Sequence, residues 1–281
     1  MVYAPVRVLL LLLHSSFVLF VVIMKPRNIL RTLSYMTVAA AVPASSNRHL
    51  GRSHLRHSYP ALIDDAPNSE GVVYNQNWAG GVLSGSNFKS VTANVIIGPA
   101  TTPSGARPGV EYATTTWVGI DGTGCSTQAL LQTGVDSYVN NGVVRYDAWY
   151  EWYPGDSISY GNIPIKLGDE IRMNVTAYST TSGIAIIENL TTGKLVNHTF
   201  SNAQRLCFQS AEWVVEDFGA IGSQVNFANF TTVTFSKALA IKSDGTKVDA
   251  SGAEIYGIRQ NGHIYTNCSV ASSSSVTCNY V

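Results

Sequence analysis

From Val72 onward, apolar and polar residues alternate with a period of two in short runs, and each run ends in turn-forming residues. That period places successive side chains on opposite faces of a β-strand. The runs are separated by "SGSN", "GDE", "TSG", "TTGK", "SDGT" and "QNGH", all turn compositions. No long helical period is present. About a dozen strands in roughly 210 residues, punctuated in this way, predict an all-β fold, an antiparallel sandwich of two packed sheets. Within it, "NLTTGKLVNHTF" predicts a hairpin that turns near Thr192 and Gly193. No internal repeat or linker divides the body.

Four of these strands carry an unusual second face. In "YDAWYEWYPGD", Tyr146, Ala148, Tyr150 and Trp152 share one face, while Asp147, Trp149, Glu151 and Tyr153 share the other. In "TTWVGIDG", Thr116, Val118 and Ile120 oppose Trp117, Gly119 and Asp121. In "TQALLQTGVD", Ala129, Leu131 and Val135 oppose Gln128, Leu130, Gln132 and Asp136. In "AEWVVEDF", Trp213 and Val215 oppose Glu212, Val214 and Glu216. The first face of each strand suits a core. The second joins acids and amides to large aromatics, which is poor core material because a buried carboxylate needs partners. A single such strand reads equally as an amphipathic edge. Repetition over four strands points instead to a curved sheet lining a wet groove.

Composition fits an exported chain. Charged residues make up only 13% of the 281 residues, against roughly 25% in ordinary soluble domains. The formal charge of zero hides an asymmetry: residues 1–70 hold seven Lys/Arg and three Asp/Glu, residues 71–281 eleven and fifteen, a net of −4. An acidic body argues against nucleic acid as a partner. Residues 8–24 are apolar; Lys25, Arg27 and Arg31 then precede a second apolar run and "VPAS". The second unit has the layout of a signal peptide cleaved after Ala44, in which case Met24 is its start and residues 1–23 are an extension; a signal anchor at 8–24 is the competing reading. The chain thus divides into an export segment at 1–44, a basic stretch at 45–70 and a body at 71–281. In the basic stretch Arg48, Arg52 and Arg56 recur every four residues, as one stripe of a short helix. That stretch is either a plain linker or a propeptide that docks on the acidic body. The four Cys, at 125, 207, 268 and 278, form an even set that implies two disulfides. Sequons at Asn174, Asn189, Asn197, Asn229 and Asn267 suit a secretory route. No stable membrane association is expected after processing, and nothing demands an oligomer, so a monomer is expected.

Several chemistries find no residues. The body has two His, His198 in a sequon and His263 in a Gly-flanked turn, so a Ser-His-Asp triad is not expected. H-E-x-x-H and a phosphate-binding Gly loop are absent, so no metal or nucleotide cofactor is expected. "DGTG" at 121 is in the wrong order for the paired motifs of an aspartic protease. Carboxylates, amides and aromatics remain. Such a groove could cleave glycosides with two acids, bind sugars as a lectin, or hydrolyse peptides with one acid and one amide.

The stretches "WVGIDGTGCSTQALLQTGVD", "YDAWYEWYP" and "AEWVVEDF" resemble, in order, the fungal glutamic peptidases, or eqolisins. The resemblance runs from "NWAGGVLSGSNF" to "VTCNYV" and so covers the body. It implies two packed, roughly seven-stranded antiparallel sheets, one of them curved around substrate. It implies that Gln132 and Glu216 are the catalytic pair and that Trp117, Asp121, Asp147, Trp149, Glu151 and Tyr153 line the substrate cleft. It also implies Cys125 paired with Cys207, which leaves Cys268 with Cys278. On this reading the protein is a secreted acid endopeptidase and the basic stretch is its propeptide, somewhat short for the family.

Overall fold

The computed structural model describes residues 56, 57, 59–62, 71–220 and 223–281. The expected export segment at 1–44, and Arg48 and Arg52 of the basic stripe, lie outside the described residues. In chain order the strands are β1 (Arg56–His57), β2 (Val72–Asn75), β3 (Trp78–Ser84), β4 (Phe88–Ile96), β5 (Tyr112–Asp121), β6 (Leu130–Asn140) and β7 (Val143–Tyr153). They continue with β8 (Ile158–Ser159), β9 (Glu170–Ser179), β10 (Ser182–Asn189), β11 (Lys194–Phe200), β12 (Ser210–Glu216), β13 (Gly219–Ala220) and β14 (Ser223–Gln224). The last are β15 (Asn226–Phe227), β16 (Thr232–Lys242), β17 (Lys247–Asp249), β18 (Glu254–Gln260), β19 (His263–Ile264), β20 (Thr266–Ser272) and β21 (Ser275–Tyr280).

Two sheets pack face to face. One has eight strands, in the order β11-β10-β9-β4-β16-β21-β20 with β17 beside β16. The other has ten, in the order β19-β18-β3-β12-β5-β6-β7-β8, with β15 beside β5 and β2 beside β18. The pairings are antiparallel except those of β2 and β15. The sheets exceed seven strands each because short edge strands extend them. The hairpin β10–β11 forms as expected, closed by Gly193 at φ 71°, a left-handed conformation that glycine adopts without strain.

The inner faces of the two sheets supply the core. Val118, Ile120, Leu131, Val135, Ala148, Trp152, Trp213 and Val215 from one sheet meet Val91, Ile171, Met173, Ile187 and Phe235 from the other. Each fully buried large side chain contributes about 1.5–3 kcal/mol relative to exposure. These are the faces the alternation assigned to the core. A second apolar cluster of Val73, Trp78, Val82, Trp117, Leu130, Trp149, Val214 and Tyr256 covers the opposite face of the ten-stranded sheet.

Cys125 is bonded to Cys207 and Cys268 to Cys278. The first bridge ties the turn after β5 to the segment before β12, two strands of the site. Among the described residues no helix is long and apolar enough to cross a membrane. One local expectation is corrected. Arg56 lies in strand β1, paired with Ala220, and not in a helix; backbone pairing to β13 overrides the four-residue spacing. Of the sequon residues, Asn189 is fully buried, with Nδ2 donating to the Pro164 carbonyl and Asp169 Oδ2. Asn174 is half-buried and donates to Ser90 Oγ and the Val91 carbonyl, whereas Asn197 and Asn267 are exposed and Asn229 half-buried.

Candidate active site

Strand register converts the second faces of the sequence into three rows across one sheet. Residues directly opposite in antiparallel strands share a face. The first row is Val82, Glu212, Gly119, Gln132 and Glu151. The second is Gly80, Val214, Trp117, Gly134 and Trp149. The third is Trp78, Glu216, Thr115, Asp136 and Asp147. An aromatic middle row thus separates two rows rich in acids and amides.

Trp117 organises the centre. Its ring lies over Gly119, where a Cβ would stand 2.8 Å from Cζ3, and its own Cβ would meet one on Gly134 at 2.5 Å. Those two glycines are required by this close approach. Trp78 packs edge-on against Trp117 with centroids 4.9 Å apart. Trp117 Nε1 donates to Glu216 Oε2 at 2.8 Å, and both residues are buried. A charge-assisted bond of this length fixes one oxygen of the acid.

Gln132 is also fully buried, and its Nε2 donates to Glu151 Oε2 at 3.1 Å. The Gln132 Oε1 has no partner. Trp149 Nε1 donates to Thr115 Oγ1 at 3.1 Å, and Ser159 Oγ to Asp147 Oδ1 at 2.6 Å. Tyr153 packs against the aromatic cluster, and burial raises its hydroxyl above the ordinary tyrosine range, with Tyr59 and Glu151 adding to the effect.

Asp121 stands apart from the other expected cleft residues. It ends β5 at φ 70°, and its carboxylate accepts the backbone N–H groups of Cys207, Phe208 and Gln209 at 2.7–2.8 Å. Both oxygens are therefore committed to the segment that leads into β12. Burial nonetheless raises its proton affinity, against those three bonds.

The alternation pattern gave no role to the group just past Glu216. Asp217 is buried, its N–H donates to the Asn77 carbonyl at 2.9 Å, and its Oδ2 accepts from Gln260 Nε2 at 2.7 Å. Burial, with the nearby Glu216 adding, pushes its carboxyl up to about 8. Its only sequence signal is an acid adjoining Glu216. Asn77 has a further duty: its Nδ2 donates to the carbonyls of Tyr59 and Pro60, and its Oδ1 accepts from the Leu62 N–H. Trp78 Nε1 also donates to the Tyr59 carbonyl, at 2.9 Å. Ala61 packs on the aromatic cluster, and the Tyr59 ring sits where a side chain on Gly219 would have to go. Residues 59–62 therefore lie against the same face as Glu216 and Trp117. Among the described residues no group of three or more His, Cys, Asp or Glu is arranged to hold a metal ion.

A β-sandwich whose outer face carries a Trp-anchored carboxylate and a carboxylate-anchored amide, with no imidazole between them, has the parts of a carboxylate-dependent hydrolase. Residues 76–280 match the Peptidase A4 family, and the chain belongs to that family. It is 39% identical to aspergillopepsin-2 of Aspergillus niger over 92% of this chain and all of that protein. It is 40% identical to scytalidopepsin B of Scytalidium lignicola over 90% of this chain and 97% of that protein. Its fold matches scytalido-glutamic peptidase crystallised with a transition-state analog inhibitor, with TM-score 0.66 and 42% identity over 73% of this chain and 98% of the other. Aspergilloglutamic peptidase from A. niger matches with TM-score 0.58 and 48% identity over 60% of this chain and 99% of the other. The protein is a glutamic-type peptidase, a hydrolase of peptide bonds, and the lectin and glycosidase readings are set aside.

Proposed function

We propose that the protein is an exported acid endopeptidase in which Glu216 and Gln132 carry the chemistry. Amide hydrolysis needs an activated water, a stabilised oxyanion and a protonated leaving amine. Glu216 as carboxylate takes a proton from water and later returns it to the leaving nitrogen. Gln132 has two side-chain N–H groups; Glu151 holds one, and the other stabilises the developing oxyanion. A single donor of that kind is worth about 3–4 kcal/mol of barrier. Trp117, Asp147, Trp149, Glu151 and Tyr153 form the surface that receives the peptide, while Asp121 orders the loop behind it. The observation that carries the reading is the buried bond from Trp117 to Glu216, which leaves an oriented carboxylate on the Gln132 face.

Residues 45–70 act on this reading as a propeptide. In support, residues 59–62 make hydrogen bonds to Asn77 and Trp78 on the site face, and Arg56 and His57 pair with β13, just past Glu216. Signal cleavage near Ala44 and glycans at the exposed Asn197 and Asn267 complete a secretory maturation, and the mature enzyme acts as a monomer. Secreted protein incubated with denatured globin and with a polysaccharide panel from pH 2 to 8 tests the reading. Expected is globin cleavage with a maximum on the acid side, insensitive to pepstatin because no paired Asp dyad does the work. A maximum at pH 7 or above, or strong loss with pepstatin, overturns it.

A further inference from the structure

Glu212 is an acid for which the chemistry above has no use. It shares a face of β12 with Glu216 and is fully buried, and the Ser210 hydroxyl is the one donor near its carboxyl group, outside hydrogen-bond geometry for either oxygen. The hydroxyl of Ser210, two residues away, donates instead to the Thr123 carbonyl at 3.1 Å. Beside Glu212 stand Val82 on β3 and the bare Gly119 on β5. The space above Gly119 is taken by Trp117 Cζ3 and Leu130 Cδ1, at 2.8 and 2.9 Å from where a Cβ would be. The six-membered ring of Trp117 therefore lies at the level of Glu212, while its Nε1 reaches Glu216. One indole spans the two acids.

The titratable groups facing Glu212 are few. From β5, Asp121 adds negative charge, and from β18, Tyr256 adds a phenol whose ionisation burial pushes upward. Val82 of β3 and Leu130 of β6 carry no charge. Glu216 lies four residues along the same strand. An ionised carboxylate here would have no cation beside it, and only the Ser210 hydroxyl, which donates to the Thr123 carbonyl, as a nearby donor, so its burial is strongly unfavourable.

We propose that Glu212 is a positioning residue that acts through Trp117. As a neutral acid it lets the indole lie over Gly119 with Nε1 on Glu216. As a carboxylate it draws water into the apolar floor and displaces the indole, so Glu216 loses its anchor as pH rises toward neutrality. Burial, opposed by the Ser210 hydroxyl and assisted to a lesser degree by Asp121, holds the Glu212 carboxyl well above the ordinary range, so the change falls above the pH at which the enzyme works. The proposal rests on Glu216 being the catalytic base.

Glu212→Gln, neutral at every pH, tests it in the full-length protein. Its kcat/KM at pH 3 should lie within about twofold of wild type, and the alkaline limb of its kcat profile should move up by about one pH unit or more. KM should move less than kcat, because the substrate surface is kept. Independently of activity, the infrared spectrum of wild type at pH 6 should contain a protonated-carboxyl band that Glu212→Gln lacks. An unmoved limb, a missing band, or loss of pH 3 activity with unchanged melting temperature would each overturn the proposal. Should the variant fail to fold, the band that remains in Asp217→Asn, whose own buried carboxyl is then gone, and its loss in step with tryptophan fluorescence on raising pH decide the matter. The two readings fail separately: an active Glu216→Gln removes the base, whereas an unmoved limb beside an inactive Glu216→Gln removes Glu212 alone.

Discussion

Trp117→Phe removes one atom group that the account depends on. Phenylalanine keeps an aromatic ring over Gly119 but has no N–H to give Glu216 Oε2, which now receives one at 2.8 Å. The bond is buried and involves an acid, so its loss is worth about 1.5–3 kcal/mol. If all of that appears in the barrier, kcat/KM falls by about 10- to 150-fold. The acid limb of the pH profile should also move upward, because the carboxylate has lost a donor that favours its charged form. Steady-state hydrolysis of a quenched fluorescent peptide from pH 2 to 6 measures both effects, with melting temperature as the control for folding. A folded variant with kcat/KM within threefold of wild type at the optimum, and with an unmoved limb, would refute the idea that Trp117 holds the working carboxylate.

Stability should fall as pH rises. Asp217 titrates at about 8 when folded against an ordinary 3.8, so the folded state binds the extra proton between those values; its contribution is complete below about pH 4 and is lost as pH rises through 8, at up to about 1.4 kcal/mol per pH unit. Denaturant midpoints of Asp217→Asn should be flatter over that window, and an identical slope would count against it. The Cys125–Cys207 bridge spans 82 residues, so replacing both with Ser should lower unfolding free energy by about 4–5 kcal/mol by loop-closure entropy; an unchanged midpoint refutes this. A synthetic peptide of residues 48–62 should inhibit the processed enzyme more strongly at pH 6 than at pH 3, and less in high salt, because its Arg residues meet carboxylates ionised only at the higher pH. Equal inhibition at both values would remove the electrostatic part.

The two faces of each site strand were legible in the chain because a period of two is local. Leu131, Trp152, Trp213 and their neighbours reach the core, and Trp117, Trp149 and Val214 reach the outer cluster, as the alternation requires. What alternation lacks is register. That Glu216 stands level with Trp78 and Asp147, and Gln132 with Glu212, depends on which strands pair and at which residue. Asp121 shows the same limit: it lies on the expected face, yet the loop bridged by Cys207 delivers three N–H groups to it. Asn77, Asp217 and Gln260 meet only because segments far apart in sequence converge, so no local pattern could join them. Asn189 carried a valid sequon, but a sequon reports nothing about burial.

The central claim is that Glu216 is the proton-transferring group. Glu216→Gln keeps the shape of the side chain and can still face the Trp117 cluster, but it cannot take a proton from water. Its kcat/KM on an unfolded protein at the wild-type optimum, measured beside an unchanged melting temperature, tests the claim most directly. The account predicts a fall of at least about 10²–10⁴-fold, the range of general acid–base catalysis. A folded Glu216→Gln enzyme that cleaves within a few fold of wild type would contradict it.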